Sequence, residues 1–148
     1  MNDTVNRGIG YPMYAQPMKT ILLLDDEPSV LQIAAMILRR TGEWEILEAR
    51  SLQEAADRAK SHVDLVIADV CVDKQAPSAV AAELRLLYPH ARVLFMSGYP
   101  EDHLLGDGLL EHGAAFLAKP FFPDVLLRCV RNILDPETAA PRTLRAAG

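Results

Sequence analysis

The stretch DLVIADV, Asp64–Val70, places four consecutive apolar residues directly before a bare carboxylate, Asp69. A continuous apolar run of this kind is typical of a parallel strand that is covered on both faces. An unpaired carboxylate is costly to bury, so a strand that ends on one needs an explanation. The simplest explanation is that the strand carries Asp69 to the edge of a sheet, where other groups offset its charge.

Five segments of the chain have the pattern of strands, and helical patterns separate them. The strand-like segments are TILLLD (20–25), WEILEA (44–49), VDLVIAD (63–69), RVLFMS (92–97) and AFLA (115–118). In the first intervening segment Pro28 suits the first turn of a helix, Gly42 suits its end, and apolar residues recur between them at helical spacing. Five strands that alternate with five helices predict a flavodoxin-like, doubly wound α/β domain with a five-stranded parallel sheet in the order 2-1-3-4-5.

The second and fourth helices are predicted with unequal clarity. Ser51 and Glu54 form a candidate capping box for the second helix, which we expect to include Ala59. The fourth helix, residues 101–113, contains two glycines, each of which costs about 1 kcal/mol relative to alanine inside a helix. We therefore expect the fourth helix to be short or mobile.

The length of 148 residues suits one domain, which we place at residues 19–135 between a flexible N-terminal arm (1–18) and a flexible C-terminal tail (136–148). The net charge is −5 with acids and bases mixed, which argues against nucleic acid as a partner. Cys71 and Cys129 form no metal-binding or disulfide pattern, and this favours a reducing, cytoplasmic setting. Because no segment has the roughly 18 consecutive apolar residues of a membrane helix, we expect no membrane association.

Polar residues follow four of the five predicted strands. In an open α/β sheet, ligands bind outside the carboxyl ends of the strands, where the strand order reverses. Strand 1 is followed by Asp25 and Asp26, strand 3 ends at Asp69, strand 4 at Ser97, and strand 5 is followed by Lys119. We therefore expect these five side chains to lie together at one edge of the sheet.

The residue types in this set indicate phosphoryl chemistry. Three neighbouring carboxylates repel one another unless a cation compensates, and Mg²⁺ commonly takes one or two carboxylates together with waters and phosphate oxygens. Lys119 adds a positive charge, and Ser97 adds a hydroxyl donor for a phosphoryl oxygen. An aspartate can itself accept a phosphoryl group and form an acyl phosphate.

Each of these residues also has an ordinary explanation. Asp25 and Asp26 precede a helix and could be caps, and Asp69 could cap a turn. Ser97 followed by a glycine is usually a turn, and a lysine that precedes a proline, as Lys119 does, usually points into solvent. Four such coincidences at four strand ends are far less frequent than one shared site, so we favour the site.

Four segments resemble the receiver domain of two-component response regulators. They are ILLLDDEPSVL (21–31), DLVIADV (64–70), VLFMSGYP (93–100) and GAAFLAKPF (113–121). Their order and spacing make the resemblance specific, and it covers residues 19–135. The last two segments are also similar to receivers at the C-terminus of hybrid histidine kinases. Because no kinase precedes them here, the chain resembles a stand-alone receiver.

The resemblance implies a role for each residue of the predicted site. Asp69 would be the phosphoacceptor. Mg²⁺ would be bound by Asp25 and Asp26, with Asp26 the more direct ligand, together with Asp69 and the backbone carbonyl of Cys71. Lys119 would pair with the phosphoryl group.

The resemblance also implies a conformational switch. Ser97 would bond a phosphoryl oxygen once Asp69 is modified. Phe116 stands at the position of the family's switch aromatic and lacks the hydroxyl that a tyrosine would carry there. The family makes the Lys119–Pro120 peptide bond cis, and we expect the same here.

One region departs from the family pattern. In VCVDKQAPSAV, residues 70–80, Asp73 stands where the family usually has a proline, and the usual loop glycine is missing. Pro77 and Ser78 instead open the third helix. The departure leaves the phosphorylation set complete, but it leaves the geometry of this loop, and the partners that contact it, unpredicted.

The resemblance implies that a histidine kinase or a histidine phosphotransfer protein donates a phosphoryl group to Asp69, and that the chain is a switch rather than an enzyme. Few residues follow the last predicted helix, so we expect output through a protein partner or through onward phosphotransfer. That partner would contact the face formed by the fourth helix (101–113), the fifth strand (115–118) and the fifth helix. A second copy of the chain is a further candidate partner.

Two alternatives from other classes stay open. A phosphohydrolase that works through an aspartyl phosphate needs a second acid near its nucleophile, and Asp73, four residues after Asp69, is the acid that VCVDK offers. A receiver-shaped scaffold would never take a phosphoryl group. Such a scaffold could lose the acidic pair, Ser97 or Lys119 freely, so the complete set argues against it.

Overall fold

The computed structural model describes residues 17–98 and 115–136. Its elements in chain order are β1 (Lys19–Leu24), α1 (Pro28–Arg40), β2 (Trp44–Ala49), α2 (Leu52–Asp57), β3 (Leu65–Asp69), a 3₁₀ turn (Val72–Lys74), α3 (Pro77–Leu87), β4 (Arg92–Ser97), β5 (Ala115–Ala118) and α4 (Pro123–Leu134). The fourth predicted helix, residues 101–113, lies outside the described residues. The helix labelled α4 is therefore the one predicted as the fifth.

The five strands form one parallel sheet in the order β2-β1-β3-β4-β5. The predicted flavodoxin-like, doubly wound α/β fold with strand order 2-1-3-4-5 is confirmed. In the register of the sheet Leu24 pairs with Ala68, and Asp69 pairs with Met96. The carboxyl ends of β1, β3 and β4 therefore meet at one edge of the sheet.

Both faces of the sheet are covered, which explains the continuous apolar runs in its central strands. Successive side chains along a strand point to opposite faces. One face buries Leu22, Leu24, Val66 and Ala68 against side chains of α2 and α3, and the other buries Ile21, Leu23, Leu65 and Ile67 against side chains of α1 and α4. The residues that follow β1 and β3 are thus positioned by the most deeply buried part of the molecule.

The first helix begins and ends where the sequence predicts. α1 begins at Pro28, whose missing N–H costs nothing in the first turn. It ends before Gly42, which has a φ of 72° and so occupies the left-handed region that glycine tolerates.

The second helix differs from its prediction in two respects. Ser51 Oγ accepts a hydrogen bond from the Glu54 N–H at 3.0 Å, as the capping box requires, but the Glu54 carboxylate accepts from the N–H of Arg50 rather than of Ser51. α2 also ends at Asp57, so the prediction that it includes Ala59 was wrong, and Ala59 lies in the turn that follows. The capping box is therefore half formed and opens a short helix.

The loop after β3 contains both of the non-glycine residues that have a positive φ in the described chain. The 3₁₀ turn Val72–Lys74 follows the strand almost at once, and Asp73 and Lys74 have φ angles of 57° and 58°. Pro77 then begins α3, as predicted. A proline has a φ of about −65°, so the family's usual residue could not adopt the conformation of Asp73. The departure in sequence therefore corresponds to a departure in backbone geometry.

Most of the predicted arm and tail, residues 1–16 and 137–148, lies outside the described residues, so the domain boundaries stay predictions. Within residues 17–98 and 115–136, no helix is long and apolar enough to cross a membrane. Neither Cys71 nor Cys129 forms a disulfide bond in the described part of the chain.

Candidate functional site

Lys119 lies at the centre of the candidate site. Its Nζ atom is 3.0 Å from Asp69 Oδ1, 3.2 Å from Asp25 Oδ2 and 4.0 Å from Glu27 Oε1. The Lys119 side chain is only 17% exposed, so it is not a lysine that points into solvent. One cation at the end of β5 therefore joins the carboxylates that follow β1 and end β3.

Three carboxylates meet at this edge of the sheet. One carboxylate oxygen from each of Asp25, Asp26 and Asp69 lies within 4.8 Å of the other two. Asp25 is buried, Asp69 is partly buried and Asp26 is exposed, so the group is accessible from the side of Asp26. Mg²⁺ prefers hard oxygen ligands and usually keeps several waters or phosphate oxygens. This donor set therefore fits Mg²⁺.

Burial and neighbouring charges change the protonation equilibria of the two innermost groups. Burial raises the pKa of Asp25, because the hydrogen bond from the Glu27 N–H and the charge of Lys119 offset the desolvation only in part. For Lys119 burial alone would lower the pKa, but the hydrogen bonds and charges of Asp69 and Asp25 outweigh it and raise the pKa above its ordinary value. Lys119 therefore stays cationic.

Asp25 and Asp69 also accept hydrogen bonds from nearby backbone N–H groups, in addition to their contacts within the cluster. Asp25 Oδ1 accepts from the Glu27 N–H at 2.9 Å, and Asp69 Oδ2 accepts from the Cys71 N–H at 3.3 Å. The N-cap position of α1 belongs to Glu27 and not to either aspartate. In both Asp25 and Asp69 one carboxylate oxygen accepts a local backbone N–H, while the other oxygen contacts Lys119.

Ser97 ends β4, the strand next to β3, and Phe116 lies on β5, the edge strand that pairs with β4. Ser97 is 3% exposed, and its carbonyl accepts from the Lys119 N–H at 2.8 Å. The Phe116 ring packs against the buried Phe95 ring, with centroids 5.9 Å apart. The Lys119–Pro120 peptide bond is cis, as the resemblance implies.

The Cys71 carbonyl lies at the start of the 3₁₀ turn. It accepts a hydrogen bond from the Lys74 N–H at 3.1 Å. Because a carbonyl oxygen has two lone pairs, this hydrogen bond leaves capacity for a metal contact. The metal-ligand role that the resemblance implies for the Cys71 carbonyl stays a prediction.

Glu27 and Asp73 also contact the site, and neither contact was predicted from the sequence. Glu27 lies 4.0 Å from Lys119, and the Asp73 N–H donates to Asp26 Oδ2 at 3.3 Å. The acidic run that Glu27 completes was the signal for the first contact. The replacement of the usual proline by Asp73 was the signal for the second.

Comparison with known proteins identifies relatives along most of the chain. Residues 21–131 match the response regulator receiver domain. The chain is 30% identical over 121 residues to the sensor kinase CckA of Brucella abortus, which covers 80% of this chain and 13% of that protein. It is 32% identical over 132 residues to the response regulator Rre1 of Synechocystis sp., which covers 85% of this chain and 55% of that protein.

A solved structure of the receiver domain from the hybrid histidine kinase CckA is also similar. It shares 32% sequence identity with a TM-score of 0.64, and the match covers 78% of this chain and 99% of that one. The predicted similarity to hybrid-kinase receivers is therefore confirmed. The chain spans 13% and 55% of the length of the two curated relatives, so these similarities concern the domain and not the whole of either protein. Residues 21–131 match the model of this family, and the sheet has the strand order that was predicted from the sequence. The chain therefore belongs to the response regulator receiver domain family.

Proposed function

We propose that this domain is a phosphoryl switch in two-component signalling, which accepts a phosphoryl group from a histidine kinase or a histidine phosphotransfer protein onto Asp69. The observation that carries the proposal is the position of Lys119 Nζ, 3.0 Å from Asp69 and 3.2 Å from Asp25, beside three carboxylates that fit a divalent cation. Membership of the receiver family supports the class of donor.

The proposed reaction is a phosphoryl transfer between two side chains. A carboxylate oxygen of Asp69 forms the new O–P bond, while the P–N bond of the donor's phosphohistidine breaks and its imidazole leaves. Lys119 offsets the negative charge on the transferring phosphoryl oxygens. Mg²⁺ would supply further positive charge to these oxygens, and its ligands would be the three carboxylates and the Cys71 carbonyl.

The proposed output is a change at the surface beside β5. An acyl phosphate on Asp69 adds negative charge and acceptor oxygens, which draw the Ser97 hydroxyl toward them. Phe116, which packs on Phe95, would then turn into the space that Ser97 vacates. The surface that changes would comprise the predicted fourth helix, β5 and α4. A downstream protein, a second copy of the chain or a further phosphotransfer histidine would respond to that change.

The test uses a small phosphodonor, acetyl phosphate, with Mg²⁺. The wild-type chain is expected to gain one phosphoryl group by intact-mass measurement, whereas Asp69→Asn is expected to gain none. Asp64→Asn is the matched control, because it removes the carboxylate that directly precedes β3, at the other end of the strand from Asp69, and it should be labelled like the wild type. Labelling of Asp69→Asn to the extent of the wild type would refute the acceptor assignment.

The same protein preparation tests the two alternatives. The Asp73 carboxylate accepts from the Leu52 N–H at 2.9 Å, which engages the acid that a phosphohydrolase would use to activate water. Turnover of a generic phosphomonoester would nevertheless favour the hydrolase. Failure of the wild-type chain both to bind Mg²⁺ and to be labelled would favour the scaffold. It stays a prediction that the protein is a stand-alone receiver, that it is cytoplasmic and that it has no enzymatic turnover.

A further inference from the structure

Asp73 forms hydrogen bonds to two distant parts of the chain. Its carboxylate oxygen Oδ2 accepts from the N–H of Leu52, the first residue of α2, at 2.9 Å. Its backbone N–H donates to Asp26 Oδ2 at 3.3 Å. One residue of the acceptor loop therefore contacts both the exposed carboxylate of the acidic cluster and the start of a neighbouring helix.

Both hydrogen bonds depend on the type of residue at this position. Asp73 has a φ of 57°, in the left-handed region, which aspartate and asparagine tolerate better than most residues do. Proline could not adopt that angle and has no N–H to donate. The family's usual residue would therefore lose the contact with Asp26 as well as the contact with Leu52.

Within the described part of the chain, Asp26 is the least restrained member of the cluster. Asp25 and Asp69 each contact Lys119 and accept a local backbone N–H. Asp26 is instead exposed, and its carboxylate accepts a hydrogen bond from the Asp73 N–H. A free carboxylate side chain must lose rotational freedom when it binds a metal ion. A hydrogen bond that already orients it reduces that loss.

We infer that Asp73 is a positioning residue for the metal cluster. Anchored on α2 through its carboxylate, it holds its N–H against Asp26 and orients that side chain toward Asp25 and Asp69. Groups that orient metal ligands in this way commonly change metal affinity by about tenfold or more. The inference rests on the proposed function, because it takes this cluster to be the Mg²⁺ site.

The same two hydrogen bonds connect the start of α2 to the metal cluster, so metal binding is expected to affect α2. Asp73 lies within the turn closed by the hydrogen bond from the Lys74 N–H to the Cys71 carbonyl, which is another proposed metal ligand. Binding of Mg²⁺ at Asp26 would therefore change, through Asp73, the environment of the Leu52 N–H. This N–H lies outside the cluster and reports on the coupling without itself contacting the metal.

The test compares Mg²⁺ affinities, measured by calorimetry, and urea midpoints for four proteins. Asp73→Gly keeps the left-handed backbone but removes the anchoring carboxylate, and its Mg²⁺ affinity is expected to fall about tenfold. Asp73→Asn keeps an oxygen acceptor and should bind Mg²⁺ with nearly wild-type affinity. Ser51→Ala removes the other side-chain cap of α2, so its urea midpoint should fall while its Mg²⁺ affinity stays unchanged. In amide spectra, Mg²⁺ should shift the Leu52 resonance in the wild type and not in Asp73→Gly.

The outcomes separate this inference from the proposed function. If Asp73→Gly binds Mg²⁺ as tightly as the wild type, Asp73 only stabilises the loop and the inference fails alone. If Asp73→Asn loses as much affinity as Asp73→Gly, the residue acts by its charge and the positioning role is refuted. If the wild-type chain binds no Mg²⁺, the proposed metal site fails and this inference fails with it.

Discussion

The two ends of the sheet differ in how their charges are balanced. At the amino end, Asp64 accepts from the Thr20 N–H at 2.8 Å, and Arg131 forms a paired contact with Glu43. At the carboxyl end, the ammonium group of Lys119 pairs with both Asp25 and Asp69, and the Asp26 carboxylate lies beside them without an ion pair to a described residue. Both of these amino-end carboxylates have a partner, whereas the carboxylates at the carboxyl end outnumber the one lysine that pairs with them.

This difference separates the contacts that stabilise the fold from those that serve the proposed function. Like charges that are held together disfavour the ionised state unless a cation joins them. A cluster of like charges costs stability, and such clusters are expected at functional sites, where they bind a cation or a ligand. Paired charges need no further partner. Variants at the two ends should therefore change different measurements: phosphorylation at the carboxyl end, and the free energy of unfolding at the amino end.

The largest expected effect is on phosphorylation, from Lys119→Ala. Removing the ammonium group leaves the charge on the transferring phosphoryl oxygens without its closest protein cation. The rate of labelling by acetyl phosphate with Mg²⁺ is expected to fall roughly 100-fold or more, the usual consequence of losing one charge-stabilising donor. The rate is measured by intact mass over time.

The matched control for that variant is Arg131→Ala. It removes a cation from the amino end, together with its contacts to Glu43 and the Trp44 ring. Its unfolding free energy should fall by about 1 kcal/mol, and its rate of labelling should stay at the wild-type value. Equal losses of labelling rate in Lys119→Ala and Arg131→Ala would show that both variants act through general destabilisation. The two ends of the sheet would then not differ in their effect on phosphorylation.

The second effect in size is on stability, from Asp64→Ala. Thr20 is buried, and without the Asp64 carboxylate its N–H loses its acceptor. The free energy of unfolding should fall by about 1–3 kcal/mol, measured by urea denaturation. Asp64→Asn keeps an acceptor oxygen and should retain most of that stability. The idea that the amino end stabilises the fold would be undermined if Asp64→Ala were as stable as the wild type.

The smallest effect concerns Tyr88, which follows α3 at the amino end of β4. Its hydroxyl donates to the Ala55 carbonyl at 2.5 Å, and burial raises its pKa above the ordinary value, although the charge of Arg58 opposes this in part. The raised pKa means that the folded state disfavours the phenolate. Tyr88 therefore contributes stability below a pH of about 10, and this contribution is lost as the pH rises through the folded-state pKa.

Comparison of the wild type with Tyr88→Phe tests this pH dependence. At neutral pH the variant should be less stable by about 1 kcal/mol, because it lacks the hydrogen bond. The difference should shrink as the pH rises above about 10, where the wild type loses the contribution of Tyr88. Urea midpoints across that range provide the measurement. A constant difference at all pH values would mean that ionisation of Tyr88 is not linked to folding.

The strands and the cluster could be predicted from the sequence because they depend on local patterns. The apolar run in Asp64–Val70 requires burial on both faces, and the topology then determines which edge Asp69 reaches. Lys119 and Asp25 are 94 residues apart, yet their meeting was predictable because both follow parallel strands of the same sheet. Periodicity and topology together were therefore sufficient for the central geometry.

The acceptor loop and the end of α2 could not be predicted in this way. The conformation of Asp73 is held by Asp26 and Leu52, which are 47 and 21 residues away and do not follow from any spacing rule. At the end of α2, Arg58 Nε donates to the Glu48 carbonyl at 2.8 Å, a tertiary contact that the helical pattern of alanines does not reveal. Both features are determined by side chains that reach across the fold.

The most direct test of the central claim is the location of the modification in the wild-type chain. Reduction of the acetyl-phosphate-treated protein with borohydride converts an aspartyl phosphate to homoserine, and peptide mass spectrometry then locates the converted residue. We predict conversion at Asp69 that requires Mg²⁺ and is absent in Lys119→Ala on the same timescale. Conversion at Asp25, Asp26 or Asp73 in place of Asp69, or at no aspartate, would contradict the claim that the carboxyl edge of the sheet is a phosphoacceptor site.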